Sequence, residues 1–76
     1  MKDLVEFLVQ ELVDDPDAVS VSEDFDDRGP RYTVRVGPDD MGKVIGRGGR
    51  TAKAIRLVVR AAAQRQGHGA IVDIED

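Results

Sequence analysis

Three glycines fall within four positions, Gly46, Gly48 and Gly49, in the segment "VIGRGGRTAKAI". Arg47 sits between them, and Lys43, Arg50 and Lys53 flank them. Glycine weakens helices, so this density marks a tight turn, a close approach of backbone to a ligand, or both. Without side chains in the way, such a loop can turn several backbone N–H groups toward one anion. It also opens a helix, whose N-terminus carries partial positive charge and unpaired N–H donors. The chemistry on offer is the holding of a phosphate, with arginine and lysine supplying charge. A simple helix–helix turn would account for one glycine, not for three.

The charge distribution points the same way. The formal net charge is -4, from 11 basic and 15 acidic residues. Residues 41–66 nonetheless hold seven bases (Lys43, Arg47, Arg50, Lys53, Arg56, Arg60 and Arg65) and no acid. The flanks are acid-rich. Net charge governs solubility, whereas a local field selects the ligand that approaches. A basic helix face can be mere solvated surface; the exclusion of acids beside such flanks favours an anionic ligand.

Several classes are disfavoured. There is no cysteine, hence no disulfide framework and no thiolate metal site. The single histidine, His68, lies between two glycines and reads as a solvent-facing cap. Asp39-Asp40 reads as a helix start, and neither aspartate has a candidate partner. With no nucleophile–base pair and no ligand cluster, we expect no enzyme, no metal and no cofactor. The N-terminal "MKDLVEFLVQELVDD" carries acids inside its apolar pattern, so it is neither a signal peptide nor a membrane span, and the expected compartment is the cytoplasm.

The positioning elements follow from periodicity. Leu4, Val5, Leu8, Val9 and Leu12 predict an amphipathic helix over 2–13. Pro16 stops it, and Asp14 and Asp15 then stand uncompensated at the wrong end of the helix dipole. Val19, Val21 and Phe25 predict a strand over 18–25, "DDRGP" a turn over 26–30, and Tyr32, Val34 and Val36 a second strand. Gly37-Pro38-Asp39-Asp40 starts a short helix carrying Met41, Val44 and Ile45. After the glycine loop, a long helix runs from Arg50 to Gln66. Ala52, Ile55, Val58, Val59, Ala62 and Ala63 line one side of it, and Arg50, Lys53, Arg56 and Arg60 the other. "AIVDI" at 70–74 is the last strand. Tyr32 is assigned to the core, whereas Phe7 and Leu57 fall off the core faces and mark a contact surface. The expected fold is α+β, in the order α-β-β-α-α-β, with helices packed on one face of a three-stranded mixed sheet. The second and third strands run parallel if adjacent.

At this point a resemblance becomes specific. Val44-Ile45, Gly46-Arg47-Gly48-Gly49 and Ile55 further on look like the KH motif, an apolar pair followed by G-x-x-G and a helix. The element order matches the type II KH fold. The whole chain, "PDDMGKVIGRGGRTAKAIR" above all, is similar to small bacterial single-KH-domain RNA-binding proteins of the KhpA/YlqC family. The resemblance implies one KH domain over 1–76, with the N-terminal helix and extra strand in 1–30 and a βααβ core in 31–76. It implies that about four nucleotides of single-stranded RNA are clamped by Lys43, Ile45, Gly46, Arg47, Gly48, Gly49, Arg50 and Lys53, with Ile45 on an apolar groove wall. It also implies a homodimer, a heterodimer with a larger Jag/KhpB-type KH protein, and a role as post-transcriptional regulator or RNA chaperone. Gly48 departs from the pattern, standing where a polar residue is common and leaving Arg47 the only charged side chain inside the loop.

Two rivals use the same residues. A helix-turn-helix DNA binder would also join two helices through a glycine turn, although strands on both sides argue against it. A protein-interaction module with little RNA binding would use Phe7 and Leu57. The P-loop and dinucleotide spacings are absent. With one tyrosine, two phenylalanines and no tryptophan, the chain also lacks the stacking platform of other RNA modules.

Overall fold

The alternation of Tyr32, Val34 and Val36 with Thr33 and Arg35 dictates a strand with one apolar face, and this strand becomes the centre of the sheet. A computed structural model describes residues 1–75. Helix α1 spans Lys2–Gln10, strand β1 Ser20–Asp26, strand β2 Gly29–Arg35, helix α2 Met41–Ile45, helix α3 Arg50–Arg65 and strand β3 Ile71–Glu75. Short 3₁₀ turns occupy Pro16–Ala18, Pro38–Asp40 and Arg47–Gly49. The strand order is β1-β2-β3, with β1 antiparallel and β3 parallel to β2. The expected α+β order and the parallel third strand are both observed.

Val21, Tyr32, Val34, Val36 and Val72 face the helices and are buried with Val5, Val9, Val44, Ile55, Val59 and Ala63. Many of these are β-branched or small, which suits a thin layer of helices against a short sheet. The opposite sheet face is polar. On it Arg31 lies 3.6 Å from Asp26 and 3.8 Å from Asp73, and Arg35 lies 3.5 Å from Glu75. Such exposed pairs add little stability. They do match two of the basic residues outside 41–66 with acids, so this face presents no basic surface.

Two boundaries and one core assignment differ from the sequence reading. The hairpin turn is shorter than 26–30: Asp26 and Gly29 already pair, Arg28 donates its N–H to Asp26 Oδ1 at 2.7 Å, and Gly29 takes a φ of 113°. Helix α1 ends at Gln10 rather than near 13. Its last turn tightens, with Leu12 N–H donating to Val9 O, and further on the amides of Asp14 and Asp15 are taken by the carboxylate of Asp40. Asp14 and Asp15 therefore lie outside the helix, and the expected dipole conflict does not arise. Val58, assigned to the core face of α3, is instead 47% exposed.

No helix is long and apolar enough to cross a membrane among the described residues.

Candidate nucleic-acid interface

The loop is built from both sides by hydrogen bonds that glycine permits. Helix α2 closes with Gly46 N–H donating to Gly42 O at 2.9 Å, and Gly49 N–H then donates to Gly46 O at 3.2 Å. Gly46 adopts φ 78° and ψ 172°, a region open essentially to glycine alone. A Cβ there would also lie 2.7 Å from Thr51 Cβ and 2.8 Å from Thr51 N. Gly46 is thus required twice, by conformation and by the first turn of α3 pressed against it. Gly48 (φ 63°, ψ 20°) and Gly49 (φ 79°, ψ 11°) are left-handed, with open space where a side chain would go. Neither loop bond uses the N–H of Arg47 or of Gly48, so this closure leaves both for a ligand.

The expected site residues do not behave alike. Arg47, Gly48, Arg50 and Lys53 are exposed, and Ile45, Gly46 and Gly49 are half-buried beside them. Lys43 is exposed too, but its ammonium is ion-paired to Asp14 and lies 3.5 Å from Asp40 Oδ1. The Asp14 hydrogen bond and both acids hold the Lys43 pKa above the ordinary lysine value. Asp40 has partners after all, contrary to its reading as a bare helix start. It is 4% exposed, with Oδ1 and Oδ2 accepting the amides of Asp14 and Asp15 at 3.2 and 3.1 Å. The Asp14 amide above all, and then the Asp15 amide and Lys43, hold its carboxyl below the usual range despite burial. The segment after α1 is thereby fastened to the helix that carries the loop.

Helix α3 separates two unlike surfaces. Its buried stripe is Ala52, Ile55, Val59 and Ala63. On the flank toward β3, Arg56 donates from Nε to Val72 O at 3.0 Å, and Lys53 and Arg60 lie one turn to either side. Arg56 is therefore half-buried between helix and strand, not part of a free basic row. The flank toward α1 is a groove of about 290 Å³ lined by Phe7, Leu8, Leu12, Ala54, Ile55 and Val58, with Glu11 and Thr51 at its margin. Phe7 is 58% exposed, as its place off the helical core face implied. Leu57 is 57% exposed but lies outside this groove.

Sequence reasoning took Asp40 for a bare helix start, Arg56 for one base of a row and Val58 for core, and assigned nothing to Thr51. Only Arg56 left a usable signal: it follows Ala52 by four positions and precedes Val59 by three, which places it at the margin of the buried stripe. Among the described residues no group of acids, histidines or cysteines is arranged to hold a metal.

A helix, a glycine turn and a second helix, set between two parallel strands and preceded by a helix and an antiparallel strand, define a type II KH domain. Residues 2–74 match the family described as KhpA/KhpB, KH domain. A protein of Halalkalibacterium halodurans called "RNA-binding protein KhpA" is 54% identical over 76 residues, 100% of both chains. Proteins of the same name from Streptomyces coelicolor (49% identical, 100% of this chain and 92% of the other) and Clostridium perfringens (47%, 97% and 99%) are similar. No solved structure matches. The chain belongs to the KhpA/KhpB KH-domain family.

Proposed function

We propose that this protein binds single-stranded RNA, clamping about four nucleotides between the Gly46–Gly49 loop and the surface beside Ile45. One observation carries the reading: the loop leaves the Arg47 and Gly48 amides unused, within a stretch of sequence that holds no acid and has Arg47, Arg50 and Lys53 exposed. The names of the relatives support RNA as the ligand. In this reading residues 1–76 act as one KH domain, with 1–30 as the added helix and strand and 31–76 as the βααβ core. The protein acts by binding and not by catalysis, in the cytoplasm, as a post-transcriptional regulator or RNA chaperone.

The double variant Arg47→Asp, Gly48→Asp places two negative charges where phosphate would sit. Its binding to a fluorescein-labelled single-stranded RNA should vanish in anisotropy titrations, while circular dichroism and melting stay near native. Normal RNA binding by the folded variant would overturn the clamp. With three free bases at the site, log K should fall against log salt with a slope of about −2, since each single-strand contact contributes about −0.7. A duplex DNA competitor that displaces RNA would favour the helix-turn-helix alternative, which the five residues of α2 support poorly.

The groove between α1 and α3 supports a second component of this reading, self-association. Phe7, Leu12 and Val58 expose apolar surface in one concavity, on a chain with no disulfide and a small core. A second copy of this chain covers it in the homodimer we propose, and a larger KhpB-type partner would use the same face. Paired clamps would add avidity to a weak single site. Light scattering of the wild type and of Val58→Glu tests this: the wild type should be dimeric and the variant monomeric. A monomeric wild type at high concentration would overturn it.

A further inference from the structure

The Arg56–Val72 hydrogen bond has a geometry that a surface arginine would not show. Strand β3 lies at the edge of the sheet, with only β2 beside it. Val36 N–H donates to Glu75 O at 3.2 Å, so the Glu75 carbonyl points toward β2. Carbonyls alternate sides along a strand, so that of Val72, three residues earlier, points to the open edge. Arg56 Nε meets it there at 3.0 Å. An open-edge carbonyl thus gains a partner, and the arginine is held at a fixed place between α3 and β3.

With Nε engaged, the two terminal nitrogens remain. Among the described residues no other hydrogen bond or ion pair involves Arg56. They form the planar end of the guanidinium, two parallel donors matched to a pair of adjacent acceptors. Arg56 lies seven residues beyond Gly49, about 10 Å along the helix axis at 1.5 Å per residue. A strand whose phosphates sit on the loop would therefore direct bases, not phosphates, toward it.

We propose that Arg56 is a base-reading residue of the RNA site, selecting a nucleobase with two adjacent acceptors: guanine through O6 and N7, or cytosine through N3 and O2. Adenine offers a donor beside each such acceptor, and uracil sets an N–H between its two carbonyls, so neither accepts the fork. This proposal rests on the RNA-binding reading above. It adds discrimination at a site whose backbone clamp supplies none.

The test uses fluorescein-labelled octaribonucleotides: oligouridine, and the same chain with two central guanosines, cytidines or adenosines. Each is titrated into the full chain as wild type, R56K and R56Q. Wild type should bind the guanosine or cytidine octamer about tenfold more tightly than the adenosine octamer. R56K keeps the charge and a donor for Val72 O but loses the fork. It should keep its melting temperature and its oligouridine affinity, and bind all four octamers within about twofold. R56Q should lose the preference as well. An R56K that still prefers guanosine or cytidine overturns the proposal, as does a wild type with no preference. Uniform weakening with a salt slope reduced by about one would make Arg56 a phosphate contact and overturn it too. If R56K fails to fold, R56Q decides with the same octamers: a folded R56Q that still prefers guanosine or cytidine overturns the proposal. A wild type that binds none of the octamers overturns the RNA-binding reading itself, and this proposal with it.

Discussion

Asp40 accepts the backbone amide of Asp14 at 3.2 Å across 26 residues of sequence, from a carboxylate only 4% exposed. Its second oxygen takes the Asp15 amide, so one side chain fastens the segment between α1 and β1 to the start of α2. Asp40→Ala strands both amides and removes the more distant of the two acids that hold Lys43. It should melt at a clearly lower temperature than wild type, and lower than Asp14→Ala, which leaves the backbone bonds intact. The folded-state pKa of Asp40 lies below the ordinary aspartate value, so its contribution is present above the unfolded pKa and lost as pH falls through the lowered value. Wild-type melting temperature should therefore drop on acidification below about pH 4, and Asp40→Asn should show less of that drop.

Lys43 is committed elsewhere before RNA arrives. Asp14 and Asp40 hold its ammonium, whereas Arg47 is exposed and has no ion-pair partner among the described residues. Lys43→Ala should therefore weaken RNA binding less than Arg47→Ala, with a smaller change in salt slope. Asp14→Asn should strengthen binding, by leaving Lys43 to the more distant Asp40 alone and removing a negative charge near the loop. Anisotropy titrations at three salt concentrations decide it; an equal loss for the two alanine variants would make Lys43 a full phosphate contact.

The loop glycines should differ sharply under substitution. Gly46→Ala meets both a forbidden backbone region and the first turn of α3, and should cost about 2 kcal/mol or more in chemical denaturation. Gly48→Asn should be nearly neutral in stability, because its left-handed φ of 63° suits asparagine and the side chain enters open space.

Tyr32 is the chain's only tyrosine and is 1% exposed. Burial, and then Glu23, push its pKa from 10.0 up to about 12. The folded state therefore favours the neutral phenol. The stability it lends is full below pH 10 and is lost as pH rises toward 12. Absorbance at the phenolate band should titrate near pH 12 in the folded protein and near 10 after denaturation. A folded-state midpoint near 10 would place the hydroxyl in water.

The sequence by itself determined which elements form and in what order. Apolar residues recur at helical spacing in α1 and α3 and at alternate positions in β2, and three glycines in four positions fall between helices. These are local properties, readable because burial on one face imposes a period of 3.6 or 2 on each segment. The glycine motif, the acid-free stretch and the type II KH resemblance came from the same local record. Tertiary structure alone decided what depends on partners distant in sequence. Nothing near Asp40 in the chain announces that it will meet amides 25 and 26 residues away, and so α1 was read three residues too long. Val58 has the residue type of a core position, yet the width of the gap between α1 and α3 leaves it on a surface. Arg56 counts as one more base in a basic stretch until β3 folds beside it and its edge carbonyl takes the guanidinium. In each case the decisive energy is that of satisfying or covering a group across the fold, and periodicity carries no information about that.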